Sequence, residues 1–90
     1  MVPASSERRV LMPAEVSLHA RPAGQFVKTA AAFRSRVTLA VNGREANAKS
    51  ILSVLALGAG GGVMLTIRAE GDDAEAAVAA LAGCVSSLRD

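Results

Sequence analysis

Ninety residues, 51% of them hydrophobic but only 2% aromatic, make one small domain whose core must be built from Ala, Val, Leu and Ile. A chain of this length buries roughly two-thirds of its unfolded surface, enough for a single two-layer core. Ten Lys and Arg against eight Asp and Glu leave a net charge of +2, too small for a dedicated nucleic-acid binder. The most apolar stretches, 54–67 and 74–85, are broken by Gly, Arg or Asp before the roughly 20 residues a membrane span needs, so a soluble, cytoplasmic chain is expected.

The opening Met1-Val2-Pro3-Ala4-Ser5-Ser6 lacks the basic region and apolar stretch of a secretory leader and reads as a loose tail, 1–6, ahead of a single domain at 7–90. Residues 8–16 mix Val10, Leu11, Met12 and Val16 with charged neighbours, and Pro13 argues against a helix, so a first strand is expected there. Over 21–33 the period becomes helical. Phe26, Ala30 and Phe33 share one face with Val27 and Ala31 beside them, and Pro22 sits in the first turn, where its missing N–H costs little.

Arg36-Val37-Thr38-Leu39-Ala40-Val41 alternates as a strand does, and Asn42-Gly43 is a two-residue hairpin signal before a third segment, Arg44-Glu45-Ala46-Asn47. Ser50 then caps a two-turn apolar helix, Ile51-Leu52-Ser53-Val54-Leu55-Ala56-Leu57, which Gly58 stops. After Gly60-Gly61-Gly62, residues 63–69 read as an interior strand. Asp72 with Glu75 three residues on resembles a capping box, and Ala77, Leu81, Cys84 and Leu88 mark the apolar face of a last helix. Cys84 is the single cysteine; it has no disulfide partner in the chain and fits that face as a small buried hydrophobe. The order β-α-β-β-α-β-α predicts an α+β fold, an open-faced β-sandwich in which a four-stranded antiparallel sheet is covered on one face by three helices. Element order alone does not separate this from a ferredoxin-like domain.

His19 is the only histidine, and it stands where the first strand gives way to a helix. The N–H groups and partial positive charge of a helix start disfavour imidazolium and leave a neutral, nucleophilic ring. A phosphoryl group on that ring would meet the same N–H groups and the Arg21 guanidinium. For an arbitrary loop histidine followed by arginine, a helix cap beside a solvated cation is the commoner arrangement. Basic residues concentrate early (Arg21, Lys28, Arg34, Arg36, Arg44, Lys49), and Glu70, Asp72, Asp73 and Glu75 cluster late, so one face suits an acidic partner. Gly58-Ala59-Gly60-Gly61-Gly62-Val63 precedes a strand and has Val63 at the third required glycine, which excludes a dinucleotide loop. One histidine and one distant cysteine make no metal set, and no metal or cofactor is expected.

Leu18-His19-Ala20-Arg21-Pro22-Ala23 resembles the active-site signature of the HPr family of phosphocarriers. Lys49-Ser50-Ile51-Leu52, followed by Val54-Leu55-Ala56-Leu57-Gly58 at a separation of about thirty residues, resembles its second signature. With the element order, the resemblance spans nearly the whole chain. It implies a stoichiometric carrier and not an enzyme: enzyme I, charged from phosphoenolpyruvate, donates a phosphoryl group to Nδ1 of His19, Arg21 stabilises the charge, and enzyme IIA domains of the sugar phosphotransferase system take the group on. It also implies one docking surface drawn from Ala20, Arg21, Lys28, Lys49, Ile51, Leu52 and Leu55. Ser50 is implied as the target of a serine kinase, with a transcriptional regulator as a further partner. A carrier that offers one face to successive partners is most simply a monomer. Two departures from the family pattern, Ser17 where Gly or Asn is common and Gly24 inside the first helix, remove no chemical group. Gly24 costs roughly 1 kcal/mol relative to Ala, and both bear on rates.

Overall fold

A computed structural model describes residues 4–88. In chain order the elements are β1 (Ser5–Leu11), α1 (Ala20–Ala31), β2 (Arg36–Val41), β3 (Arg44–Asn47), α2 (Ile51–Leu57), β4 (Met64–Glu70) and α3 (Ala74–Ser86). The strands form one antiparallel sheet in the order β1-β4-β2-β3. Alternation in the sequence becomes two-sidedness in the sheet: Val37, Leu39 and Val41 of β2 and Leu65, Ile67 and Ala69 of β4 are buried, whereas Arg36, Met64, Arg68 and Glu70 are exposed on the opposite face. Asn42 and Gly43 take φ of 52° and 80°, the left-handed pair that a primed hairpin turn requires, which sets Val41 opposite Arg44.

The helices close the apolar face. α3 lies across β1, β4 and β2, α1 packs on α3, and α2 bridges α1 and β3. Phe26 is the largest fully buried side chain, and it joins Met12, Leu39, Leu65, Ile67, Leu81 and Leu88 in one core. With so few aromatics, close approach of Ala-rich helix faces supplies the density: Ala23 and Ala30 of α1 and Ala74 and Ala77 of α3 are all buried. Ala31, expected beside the apolar stripe of α1, is exposed, and Cys84 is half-buried at the edge of the core.

Three boundaries differ from the sequence expectation. The first strand occupies Ser5–Leu11, not 8–16, because Ser5 and Ser6, expected at the end of a loose stretch 1–6, pair with Glu70 and Ala69 of β4; residues 1–3 lie outside the described ones. Beyond Leu11 the chain leaves the sheet and runs as a loop anchored by buried Met12, Val16 and Leu18. α1 ends at Ala31, two residues early, with Ala32 as its C-cap. The expected capping box at Asp72 is displaced as well: Asp73 is the N-cap of α3, yet its side chain makes no capping hydrogen bond.

The Asp73 carboxylate is directed across to the loop after α1. It accepts the N–H of Arg34 at 2.8 Å, the N–H of Ser35 at 2.9 Å and the Ser35 hydroxyl. Ser35 is buried, so this one carboxylate satisfies Ser35 polar groups that have little access to water. The Ser35 hydroxyl, and after it the Arg34 N–H, hold the carboxyl down from 3.8 to about 2. A depressed carboxylate stabilises the fold fully above its unfolded value of 3.8, and that contribution disappears as pH falls through about 2. Asp73→Asn is expected to melt at a lower temperature than the wild type at pH 7, with the difference shrinking as the pH is taken from 5 to below 2 (~); thermal unfolding across that range checks it.

Candidate functional site

The turn that carries His19 is held by the chain leading into β4. At one end of the 12–18 loop, Met12 N–H donates to the Val63 carbonyl at 2.9 Å and the Gly62 N–H donates to the Met12 carbonyl at 3.1 Å. At the other end, Leu18 N–H donates to the Ala59 carbonyl at 2.9 Å. The glycine-rich stretch after α2 is therefore the wall on which the His19 loop is laced.

His19 is the N-cap residue of α1, in extended backbone with φ −89° and ψ −166°, and its side chain makes no capping hydrogen bond. Its carbonyl accepts the Ala23 N–H at 2.9 Å, which starts the helix while leaving the imidazole outside it. The N–H groups of Ala20 and Arg21 have no acceptor within the helix, as at any helix start, and Pro22 has no N–H to offer. Two backbone donors, the ring and the exposed Arg21 side chain thus share one end of α1. An open cleft of about 300 Å³ lies there, lined by Ser17, Leu18, His19, Ala20, Leu55, Gly58, Ala59 and Gly60.

Ser50 is the N-cap of α2, and its Oγ accepts the Ser53 N–H at 3.3 Å. Gly58 ends that helix in the left-handed region, φ 62° and ψ 33°. Beside these ends, Leu52 is 78% and Ile51 38% exposed, whereas Val54 and Leu57 turn into the core. Leu55 is half-buried and faces the His19 cleft. The structure brings His19, Ala20 and Leu55 to one cleft and packs α1 against α2.

The basic residues divide. Lys28 is exposed in the last turn of α1, about 12 Å along the axis from Ala20. Lys49 is half-buried, and its Nζ donates to the Phe33 carbonyl at 2.7 Å, so its charge braces the chain just past α1. Arg44 likewise donates to the Ala56 carbonyl at 2.9 Å, closing the C-terminal end of α2 with the charge that end favours. Sequence reasoning missed the lining by Gly58, Ala59 and Gly60, because a glycine-rich loop rejected as a nucleotide site has no other signal in one dimension. A second cleft, of about 360 Å³, lies along β2 and β3 between Arg36, Thr38, Glu45 and Asn47 and shares no residue with the first. Among the described residues, no three His, Cys, Asp or Glu side chains are grouped to hold a metal, and no helix is long and apolar enough to cross a membrane.

One histidine stands at the start of α1, at an open cleft near exposed apolar residues of α2, on a four-stranded open sheet. Comparison with known proteins identifies the class: the family model "PTS HPr component phosphorylation site" matches residues 6–87, and the chain belongs to the HPr family of phosphocarrier proteins. The phosphocarrier protein HPr of Vibrio cholerae is 44% identical over 82 residues, 91% of this chain and 96% of the relative. That of Xylella fastidiosa is 39% identical over 75 residues, 83% and 84% of the two chains. Among solved structures, the HPr of Bacillus anthracis superposes with a TM-score of 0.86 at 41% identity, covering 91% of this chain and 98% of the other. Crh, the catabolite repression HPr of Bacillus subtilis, superposes in its solution structure with a TM-score of 0.71 at 34% identity, covering 93% and 100%. These likenesses decide between the two folds that element order left open: the chain has the HPr sandwich.

The exposures on α2 separate surface from core. Leu52→Ser is expected to change stability by less than about 0.5 kcal/mol, while Leu57→Ala on the same helix costs about 2 kcal/mol or more; urea unfolding of the two variants checks the division.

Proposed function

We propose that His19 is the phosphoryl acceptor of this carrier, receiving the group from phosphorylated enzyme I and passing it to enzyme IIA domains, as a monomer in the cytoplasm. The observation that carries the reading is the placement of His19: it is the exposed N-cap residue of α1, at an open cleft shared with Ala20 and Leu55. In the transfer, the Nδ1 lone pair forms the new N–P bond as the donor's bond to phosphorus breaks, and the same exchange run toward enzyme IIA empties the carrier. Such a step asks mainly for in-line placement and for charge stabilisation. The Ala20 and Arg21 N–H groups and the Arg21 guanidinium offer that stabilisation where the phosphoryl oxygens would lie.

Docking is assigned to Ala20, Ile51, Leu52 and Leu55, with Arg21 and Lys28 as a positive rim that steers acidic partners; Lys49 is committed to the Phe33 carbonyl and contributes through the fold. His19→Ala is expected to abolish an acid-labile phosphoryl adduct, read by intact mass after incubation with enzyme I and phosphoenolpyruvate. Arg21→Ala is expected to slow transfer on the order of tenfold or more with an unchanged melting temperature. Adduct formation on His19→Ala at the wild-type rate would sink the reading.

A second reading, regulation through Ser50, is favoured by one feature: the hydroxyl sits at the head of α2, next to exposed Ile51 and Leu52. A phosphate placed there by a serine kinase would set a dianion in the docking surface, disfavouring acidic partners and offering a handle to a transcriptional regulator. Ser50→Asp is accordingly expected to raise the KM of enzyme I for the carrier; an unaltered KM counts against regulation at this position.

A further inference from the structure

The geometry points to Gly61 as a positioning residue for phosphoryl transfer: the close approach of its backbone to Ala14 sets where the 12–18 loop holds His19. This inference rests on the reading of His19 as acceptor and adds to it the element that aims the ring. A Cβ built at Gly61 would fall on the Ala14 carbonyl, 2.6 Å from its carbon and 3.0 Å from the Pro13 carbonyl oxygen. Both are backbone atoms, so no side chain can swing aside to make room.

The location of that contact gives it consequence. The loop is tied at Met12 to Gly62 and Val63 and at Leu18 to Ala59, so the glycine stretch that meets Ala14 also carries the Leu18 tie, and a displacement of the one is passed to the other. His19 follows the second tie by one residue. Ordinary contact begins at 3.4 Å, and a side chain at Gly61 therefore forces the loop, and with it the Leu18–His19 turn, back by about 1 Å, a misplacement that can cost on the order of 100-fold in rate. Part of the docking surface is less exposed to that shift, because Ile51 and Leu52 belong to α2 and not to the turn.

The test measures turnover by enzyme I with wild type, Gly61→Ala and Gly71→Ala as substrates, separating kcat from KM, with the His19 ring followed by NMR. Gly71→Ala matches the disturbance at a distance: its Cβ would meet the Ser35 Cα at 2.9 Å and its φ is 144°. Gly61→Ala is expected to lower kcat on the order of 10- to 100-fold, to leave KM within about twofold, and to move the His19 ring resonances. Gly71→Ala is expected to lose thermal stability and keep the wild-type kcat and ring resonances. If Gly61→Ala does not fold, the same substitution in a Gly83→Ala background carries the test; Gly83 lies on the exposed side of α3 with open space around it, where Ala stabilises a helix. A folded Gly61→Ala with the wild-type kcat overturns the inference, as does a kcat that falls in step with stability in both variants. A wild-type protein that takes no phosphoryl group overturns the His19 reading itself, whereas a modified wild type beside an equally fast Gly61→Ala overturns only the positioning role.

Discussion

β4 pairs with β1 on one side and β2 on the other, and every other feature of the molecule depends on that central position. Its inward residues Leu65, Ile67 and Ala69 are buried, so the sheet has an apolar face only once this late strand has been inserted between two earlier ones. The register then dictates the site. Leu11 lies opposite Met64, so the chain leaving β1 and the chain entering β4 must run side by side beyond the sheet's end. One leads to His19 and α1, and the other comes from α2 through the glycine stretch. The cleft of His19, Leu55 and Ala59 is the direct result of that shared exit.

The helix ends are satisfied in different ways. α2 is capped by its own Ser50 at the start and braced by Arg44 at the finish. The chain beyond α1 is held by Lys49 on the Phe33 carbonyl and by Asp73 on Arg34 and Ser35. These bonds answer the ordinary demand that backbone donors and acceptors find partners. At the starts of α1 and α3 the N-cap side chain makes no capping bond, and in α1 Pro22 also removes one of the orphan donors. A positive helix end with two N–H groups directed outward is what an incoming phosphoryl group would require.

Much of this could be read in one dimension, and the successes share a cause. β2, the Asn42-Gly43 turn, β3 and α2 with its Ser50 cap and Gly58 stop all lie where expected, because each is specified by residues within a few positions of one another. The failures are non-local. Ser5 and Ser6 carry no strand signal and become strand by pairing with β4. Asp73 has the composition of a cap but serves Ser35, 38 residues away. Nothing local to Lys49 signals that its ammonium meets the Phe33 carbonyl, 16 residues away.

The sequence by itself determined the element order, the single titratable histidine at a helix start, its arginine neighbour and the apolar second helix, because periodicity, capping and turn chemistry act over short spans. Only the tertiary structure decided that His19 and α2 share a cleft, that Lys49 and Arg44 meet backbone carbonyls, and that a glycine more than forty positions further on bears against the loop presenting the histidine. Those are matters of strand order and backbone approach in space, and they follow from burying Leu65 and Ile67 between β1 and β2, a choice that no local window of residues contains.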